Sequence, residues 1–358
     1  MNRFKLVLSD FHIGAGRLLE DGEINPFEYF IFDARLIGFL DYYSSGEFRK
    51  AEVELILNGD FLNTLQVVVD DERPTEISEQ KALKSTELIF KGHPELFDAL
   101  KRFAAAPNHR ITYLIGNHDP SLLFPAVQDD LKRRLGAELH FPGFSYSFDG
   151  IWVEHGQQYT PANRFDLGKL FVKTKSGEVV INLPWGSIWV IEYLNQIKKE
   201  RVYIDRIQPF GRYLLLACLF DPFFALPAMA RLMVFFVRER TRAEKLKRKS
   251  ELKRTLEMLQ GFSIIPALDR DARRILGRPG YHAVIFGHNH QPAFRRFGRD
   301  KLYVNTGTWN DIIHLDIQNL GRQRRMTYAF IDYPDNRKPR VRLKLWKGTH
   351  LTEEDVIF

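Results

Sequence analysis

Five short apolar runs, each ending in a turn rich in Asp, Asn or His, constrain this chain more than any other feature. Phe4–Ser9 is followed by Asp10-Phe11-His12, and Val53–Asn58 by Gly59-Asp60. Ile111–Ile115 is followed by Gly116-Asn117-His118-Asp119, Ile151–Glu154 by His155-Gly156, and His282–Phe286 by Gly287-His288-Asn289-His290. Short β-branched runs bounded by turn signals read as buried strands. Leu302–Asn305 is a further run of this kind. Apolar groups at helical spacing occupy residues 27–43, 78–104 and 122–135. Strands alternating with helices imply an α/β architecture. In such sheets ligands gather at the carboxyl edge of the strands, where all five polar turns would fall.

Turns converging on one edge would bring carboxylate and amide oxygens together with several imidazoles. Zinc, manganese and iron accept that mixture, whereas calcium and magnesium favour oxygen alone. One ion takes about four ligands, so the set is large enough for two if a carboxylate bridges them. A pair of ions ~3.5–4 Å apart clamps an anionic substrate and generates hydroxide at neutral pH, as hydrolysis of a phosphate ester requires. Gly59, Gly116, Gly156 and Gly287 would let the turns close tightly.

In order, the turns read D-x-H, G-D, G-N-H-D, H and G-H-N-H between residues 10 and 290. In these motifs the chain resembles the calcineurin-like metallophosphoesterases. The resemblance implies the four-layer α-β-β-α sandwich of that superfamily and two divalent metal ions, manganese or iron and zinc. Carried over by position, Asp10, His12 and His290 would bind the first metal, and Asp60 would bridge both. Asn117, His155 and His288 would complete the second site. His118 would act on the substrate, stabilising phosphoryl charge or protonating the leaving oxygen, with Asp119 orienting it. G-D-x-x-D is frequent in the superfamily; here Asn63 takes the last place, can still hydrogen-bond, and is a candidate substrate contact. After His155, Asn163 and Arg164 are candidate substrate contacts, the alternative being a helix start with Arg164 in solvent. His93, His109, His140, His282, His314 and His350 lie outside the turns and are expected at surface or packing positions. Asn305–Trp309 is expected as a structural turn, the alternative being a wall of the site.

The rhythm breaks over residues 156–280, expected as a mostly helical insertion in a core of residues 1–155 and 281–358. Within it, Tyr213–Ala230 carries one charge, Asp221, and prolines at 222 and 227. A charge beside proline at mid-span argues against a simple spanning helix, so two short helices broken at Asp221-Pro222 are expected. Their apolar surface would either form ordinary core or face lipid. Arg238–Arg254 holds nine Lys/Arg against three Glu, nearly the whole of the chain's formal +7. A basic run beside an apolar one is the pattern of a membrane-surface element. The general layout is similar to that of the UDP-diacylglucosamine hydrolases, although His118 stands where those enzymes have arginine. The single cysteine, Cys218, excludes a disulfide framework. Phe4–Leu8 is too short for a secretory apolar region. The expected location is the cytoplasm, peripheral on the inner face of the membrane. The tail, Thr327–Asp332 and Pro339–Trp346, is expected as half-buried antiparallel strands.

These residues point to a dinuclear-metal-dependent hydrolase of phosphate ester or pyrophosphate bonds. Its substrate would be a phosphorylated small molecule or lipid, lipid-linked or nucleotide-linked, met at an anionic membrane surface. One alternative is a soluble phosphodiesterase or nuclease, whose basic excess would serve a phosphate backbone. Charge gathered beside an apolar segment weighs against nucleic acid. Another alternative is a non-catalytic metal-binding scaffold.

Overall fold

The computed structural model describes residues 2–19, 21–70, 76–245, 267–315, 320–334, 338–348 and 354–355, without the side chains of 240–245 and 354–355. It is a mixed α/β structure with several sheets. In the largest, β1 (Arg3–Leu8), β2 (Glu52–Asn58), β3 (His109–Leu114) and β4 (Leu139–Gly143) run parallel. A second sheet holds β5 (Ser145–Phe148), β6 (Ile151–Glu154), β10 (Ala283–Phe286), β11 (Ala293–Phe297) and β12 (Lys301–Asn305). Its three central strands, β6, β10 and β12, are parallel, with β5 and β11 antiparallel at the edges. Every strand expected from the polar-turn pattern is present. The edge strands β4, β5 and β11 and the small hairpins β7 (Phe171–Lys173) with β8 (Val179–Ile181), and β13 (Asp311–His314) with β14 (Gly321–Arg324), carry no such pattern. A two-residue strand, β9 (Ile207–Gln208), pairs with β13.

The alternation along each strand sorts its side chains between two faces. Leu6, Leu8, Val53, Leu55, Leu57 and Ile111 pack into one cluster with helices α1 (Asp33–Tyr42), α3 (Pro94–Ala105) and α4 (Pro125–Leu135). Their neighbours Val7, Ile56 and Leu114 pack instead against Ile151, Val153 and Ile285 of the second sheet. The outer face of that sheet is covered by α9 (Asp269–Leu276), through Ala272, Ile275 and Leu276 against Val284, Phe286 and Tyr303.

Two expectations need correction. The tail strands β15 (Thr327–Asp332) and β16 (Arg340–Leu345) are antiparallel as read, but β15 is buried at every position. It lies between β1 and β16, with Tyr328 and Phe330 on the helical side and Ala329 and Ile331 between the sheets. The helix expected over 78–104 is two, α2 (Glu79–Gly92) and α3, divided at His93. Pro94 excludes the residue before it from helical backbone, and His93 has φ −136 and ψ 52.

That break has a use. His93 Nδ1 lies 2.6 Å from Asp33 Oδ1, and Nε2 lies 3.3 Å from Glu28 Oε2. Glu28 in turn accepts the backbone N–H groups of Gly14, Gly16 and Phe30, so it ties down the loop after β1. Burial would lower the His93 pKa, but the two carboxylates outweigh it and raise it to about 9. A raised histidine stabilises fully below its unfolded value near 6.5, and that stabilisation is lost as pH rises through about 9. At about 1.4 kcal/mol per unit, the loss between pH 6 and pH 10 is about 3 kcal/mol. Thermal melts of wild type and His93→Gln should show this extra decline in the wild type alone.

Residues 185–198 are one helical stretch, α5 (Trp185–Trp189) and α6 (Asn195–Lys198) joined by a π-turn over Val190–Leu194. Helices α7 (Phe210–Phe220) and α8 (Pro222–Lys245) part at Asp221, as expected. However, α8 is long and runs through Pro227, which forfeits one i−4 hydrogen bond. No helix among the described residues is long and apolar enough to cross a membrane. Of the basic run, the side chains from Arg240 onward lie outside the described residues, as does His350.

Candidate metal centre

The polar turns after β1, β2, β3, β6 and β10 meet at one end of the two sheets. The loops after β1 and β2 run side by side, with His12 N donating to Asp60 O at 2.9 Å and Ile13 N to Phe61 O at 2.9 Å. Backbone shape then aims the side chains. Asp10, His12, Asp60, His288 and His290 all have φ between 52 and 70, the left-handed region. Only three other non-glycine residues among those described share it, so this strain is concentrated here. At about 1 kcal/mol or more each, the cost reaches several kcal/mol, which the surrounding fold must sustain.

Two glycines are required for the close approach. A Cβ on Gly116 would overlap the Asp60 carboxylate and stand 2.5 Å from the Asp60 amide nitrogen. One on Gly59, whose φ is +77, would press to 2.6 Å from the His155 ring.

The result is a buried cluster of carboxylates and imidazoles. Ligand atoms of Asp10, His12 and His290 lie within 4.8 Å of one another, as do those of His12, Asp60 and His118, and of Asp60, His155 and His288. Asp60 belongs to two of these groups. Asn117 is buried beside them, and its Oδ1 has no partner within the protein. All seven residues expected as metal ligands are therefore brought together.

The donor set suits cations. His155 donates from Nδ1 to the Asn58 carbonyl at 2.8 Å, which leaves a lone pair on Nε2. That lone pair faces Asp60 Oδ2 at 3.1 Å, another acceptor. His290 Nε2 lies 3.0 Å from His12 Nε2 and 3.2 Å from Asp10 Oδ1. Lone-pair atoms this close need a proton or a cation between them. The electrostatics agree. Burial would raise Asp10 and Asp60, yet the surrounding histidines, His155 foremost, hold both below the usual carboxylate range. Burial would lower His155, but Asp60 and Asp10 outweigh it and raise it. Burial lowers His12 and His118, and with His155 beside it brings His288 to about 3. The carboxylates thus demand positive charge while most of the imidazoles refuse protons. Borderline divalent metals fit such a mixture of nitrogen and oxygen donors.

The orienting contacts differ from expectation. Asp119 does not hold the His118 ring. Its Oδ1 accepts from Gly116 N at 2.6 Å, and its Oδ2 from Tyr113 Oη at 2.8 Å and Phe61 N at 3.1 Å. It fastens two loops to each other. The partner of His118 is Asn63, whose Oδ1 lies 3.1 Å from His118 Nδ1. Asn63 Nδ2 donates to Gln66 Oε1 at 2.6 Å, and Gln66 Nε2 to Asn195 Oδ1 at 2.7 Å. This directed chain of amides leaves Asn63 Oδ1 to accept a hydrogen bond from His118 Nδ1–H.

Asn163 lines the adjoining cavity, with Nδ2 3.4 Å from His288 Nε2. Arg164 is exposed, and Asn63 is fully buried with its amide engaged by His118 and Gln66; neither lines it. Thr160, which belongs to no recognisable motif, places Oγ1 2.8 Å from His288 Nε2. Asn305–Trp309 is a bracing turn. Thr308 Oγ1 donates to Asp10 O at 2.6 Å, and neighbouring Asn310 donates to Phe11 O at 2.6 Å.

The cavity holds about 540 Å³. Its lining includes His12, Asp60, Asn117, His118, His288 and His290 together with the apolar side chains of Trp185, Trp189, Val190, Leu194 and Phe210. It is thus a site of small-molecule size lined by both ionisable and apolar groups.

No family model and no curated relative matches the chain. Two solved structures align along nearly all of it. They are vacuolar protein sorting 29 from Cryptosporidium parvum (11% identity, 99% of this chain and 96% of that chain, TM-score 0.35) and a single mutant of Vps29 from Entamoeba histolytica (10% identity, 99% of each chain, TM-score 0.31). Likeness at that level carries no functional weight, and the geometry of the cluster has to stand alone.

Proposed function

We propose that this chain is a two-metal hydrolase of phosphate ester or diphosphate bonds, acting on a substrate with an apolar portion. One observation carries the reading: buried lone-pair atoms of Asp10, His12, Asp60, His155 and His290 face one another at distances that call for cations. Bound divalent ions would neutralise phosphoryl charge and provide a nucleophile at neutral pH. Asp10, His12 and His290 would hold one, Asn117, His155 and His288 the other, with Asp60 shared. The Asn58 carbonyl, by accepting a hydrogen bond from His155 Nδ1–H, keeps Nε2 turned inward. Asn63 does the same for His118. A phosphoryl anion drawn into the cluster would raise the His118 pKa and favour a proton on Nε2. That proton is then placed for the leaving oxygen. The core would be a four-layer α-β-β-α sandwich of residues 1–155 and 281–358. Residues 156–280 would form its cap, since Trp185, Trp189 and Phe210 supply the apolar wall. With manganese added, the protein should hydrolyse bis(p-nitrophenyl) phosphate, and a chelator should abolish turnover. No turnover with manganese, iron or zinc would leave the scaffold alternative.

The partner that presents such a substrate would be an anionic membrane surface. The α7–α8 hairpin exposes Leu215, Leu219, Phe220, Phe223, Leu226 and Met233, with Phe223 93% exposed. The basic run Arg238–Arg254 follows directly in the chain. Exposed apolar side chains beside clustered cations suit an anionic lipid interface. The protein should float with phosphatidylglycerol vesicles and much less with phosphatidylcholine. Phe220→Glu with Phe223→Glu should abolish flotation and leave hydrolysis of the soluble diester unchanged. A wild type that stays at the bottom of the gradient would point to a soluble substrate.

A further inference from the structure

The amides behind His118 end on an atom that has only one role. Beyond Asn63 and Gln66, Asn195 Nδ2 donates to the Leu65 carbonyl at 3.3 Å. A backbone carbonyl accepts and never donates, so it must meet the NH2 end of the Asn195 amide. Each amide then orients the next. Asn195 turns Oδ1 to Gln66, Gln66 turns Oε1 to Asn63, and Asn63 turns Oδ1 to His118 Nδ1. Asn63, Gln66 and Asn195 are all buried, so a reversed link would bury two donors or two acceptors against each other.

The last amide belongs to another part of the chain. Asn195 sits in the helical stretch 185–198, within the region proposed as the cap. That stretch reaches the His118 turn at a second point, where Ser187 Oγ donates to the Asn117 carbonyl at 3.2 Å. Ser187 and Asn195 are eight positions apart. In a continuous α-helix that spacing leaves two side chains ~80° out of line. The π-turn Val190–Leu194 lies between them, and its wider turn rotates less per residue, which brings both towards the same loops. On its other side the π-turn is held by Tyr193, whose hydroxyl donates to the Ala228 carbonyl of α8 at 3.2 Å.

We propose that Gln66 and Asn195 are positioning residues for His118, and that the 185–198 stretch completes the centre through them. Their amides hold the proton of the neutral ring on Nδ1 and the ring against Asn63. Nε2 is then the nitrogen left to exchange a proton with a reacting group. Residues 1–155 and 281–358 supply every expected metal ligand, but the end that gives the relay its direction comes from Asn195. Calling His118 catalytic rests on the phosphoesterase reading; the tautomer of its ring does not.

The test reads the tautomer directly. Full-length protein labelled with [15N]histidine is studied by NMR in EDTA at about pH 8, above the ordinary histidine range. The His118 signals are those missing from His118→Gln. In the wild type the proton should sit on Nδ1. Gln66→Met removes the acceptor of Asn63 Nδ2 and frees that amide to turn, so the Nε2–H form should appear. Asn195→Leu removes the anchor and should give the same mixture. Gln66→Glu added to Asn195→Leu should restore the Nδ1–H form, because a carboxylate has no wrong end to present to Asn63. With manganese, Gln66→Met and Asn195→Leu should lower kcat about ten-fold and leave KM and metal content unchanged. A wild-type tautomer in both single variants, or no restoration by Gln66→Glu, would overturn the relay. The tautomer changes without turnover in the wild type would uphold the relay and refute the phosphoesterase reading. Turnover with an unaltered tautomer would do the reverse.

Discussion

Asp60→Ala should lower manganese-dependent hydrolysis of bis(p-nitrophenyl) phosphate by about a thousand-fold or more, roughly 4 kcal/mol of barrier. Asp60 stands in two of the three ligand groups, so its loss strips both halves of the centre. Its Oδ1 also accepts the His118 amide at 2.7 Å, so the same change loosens the turn that carries Asn117 and His118. His155→Ala should be comparably severe, because the ring is fully buried and supplies the lone pair facing Asp60. Metal content per chain should fall in both variants. Melting curves in EDTA keep the result interpretable, since a variant that folds but neither binds metal nor turns over has lost the centre alone. Full turnover in both variants would refute the assignment.

Much of this centre is legible in the sequence, for a physical reason. A ligand placed directly after a buried strand inherits its position from the ladder, and left-handed backbone at Asp10, His12, Asp60, His288 and His290 turns each side chain over the sheet edge. Asp and His tolerate that backbone better than most residues, so the residue type that binds metal is also one that can adopt the turn. What depends on contacts between distant loops is not legible. Asp119 follows His118 in sequence, yet the turn sends its carboxylate to Gly116, Phe61 and Tyr113. The true partner, Asn63, comes from the loop after β2 and is itself fixed by Gln66 and Asn195. Alternation misreads the tail strand β15, because it predicts one wet face, and a position between β1 and β16 leaves none.

The apolar run of β1 hides a second large effect. Lys5 and Glu54 are register partners on β1 and β2, ion-paired and only 3% and 1% exposed. They lie on the inner side of the sheet, where Lys5 Nζ sits 4.2 Å from the Phe148 ring of the second sheet. Glu54 also accepts from Thr112 Oγ1 at 2.6 Å and Arg110 Nη2 at 3.3 Å. Burial already lowers the Lys5 pKa, with Glu54 pulling the other way. Removing Glu54 leaves that buried ammonium without its counter-charge. Glu54→Ala should therefore cost about 3–5 kcal/mol. For a chain of this length that corresponds to a fall of about 5 °C in Tm. The pair itself is a different matter, because two charges taken out of water recover little more than their desolvation. Lys5→Met with Glu54→Leu should regain most of the loss and come within about 1 kcal/mol of wild type. Thr112→Val, added to remove the stranded hydroxyl, should bring it closer still. If Glu54→Ala melts with the wild type, water reaches Lys5 and the two sheets are not closed over it. If the double variant is no better than the single, the ion pair contributes net stability to β1, the strand that positions Asp10 and His12.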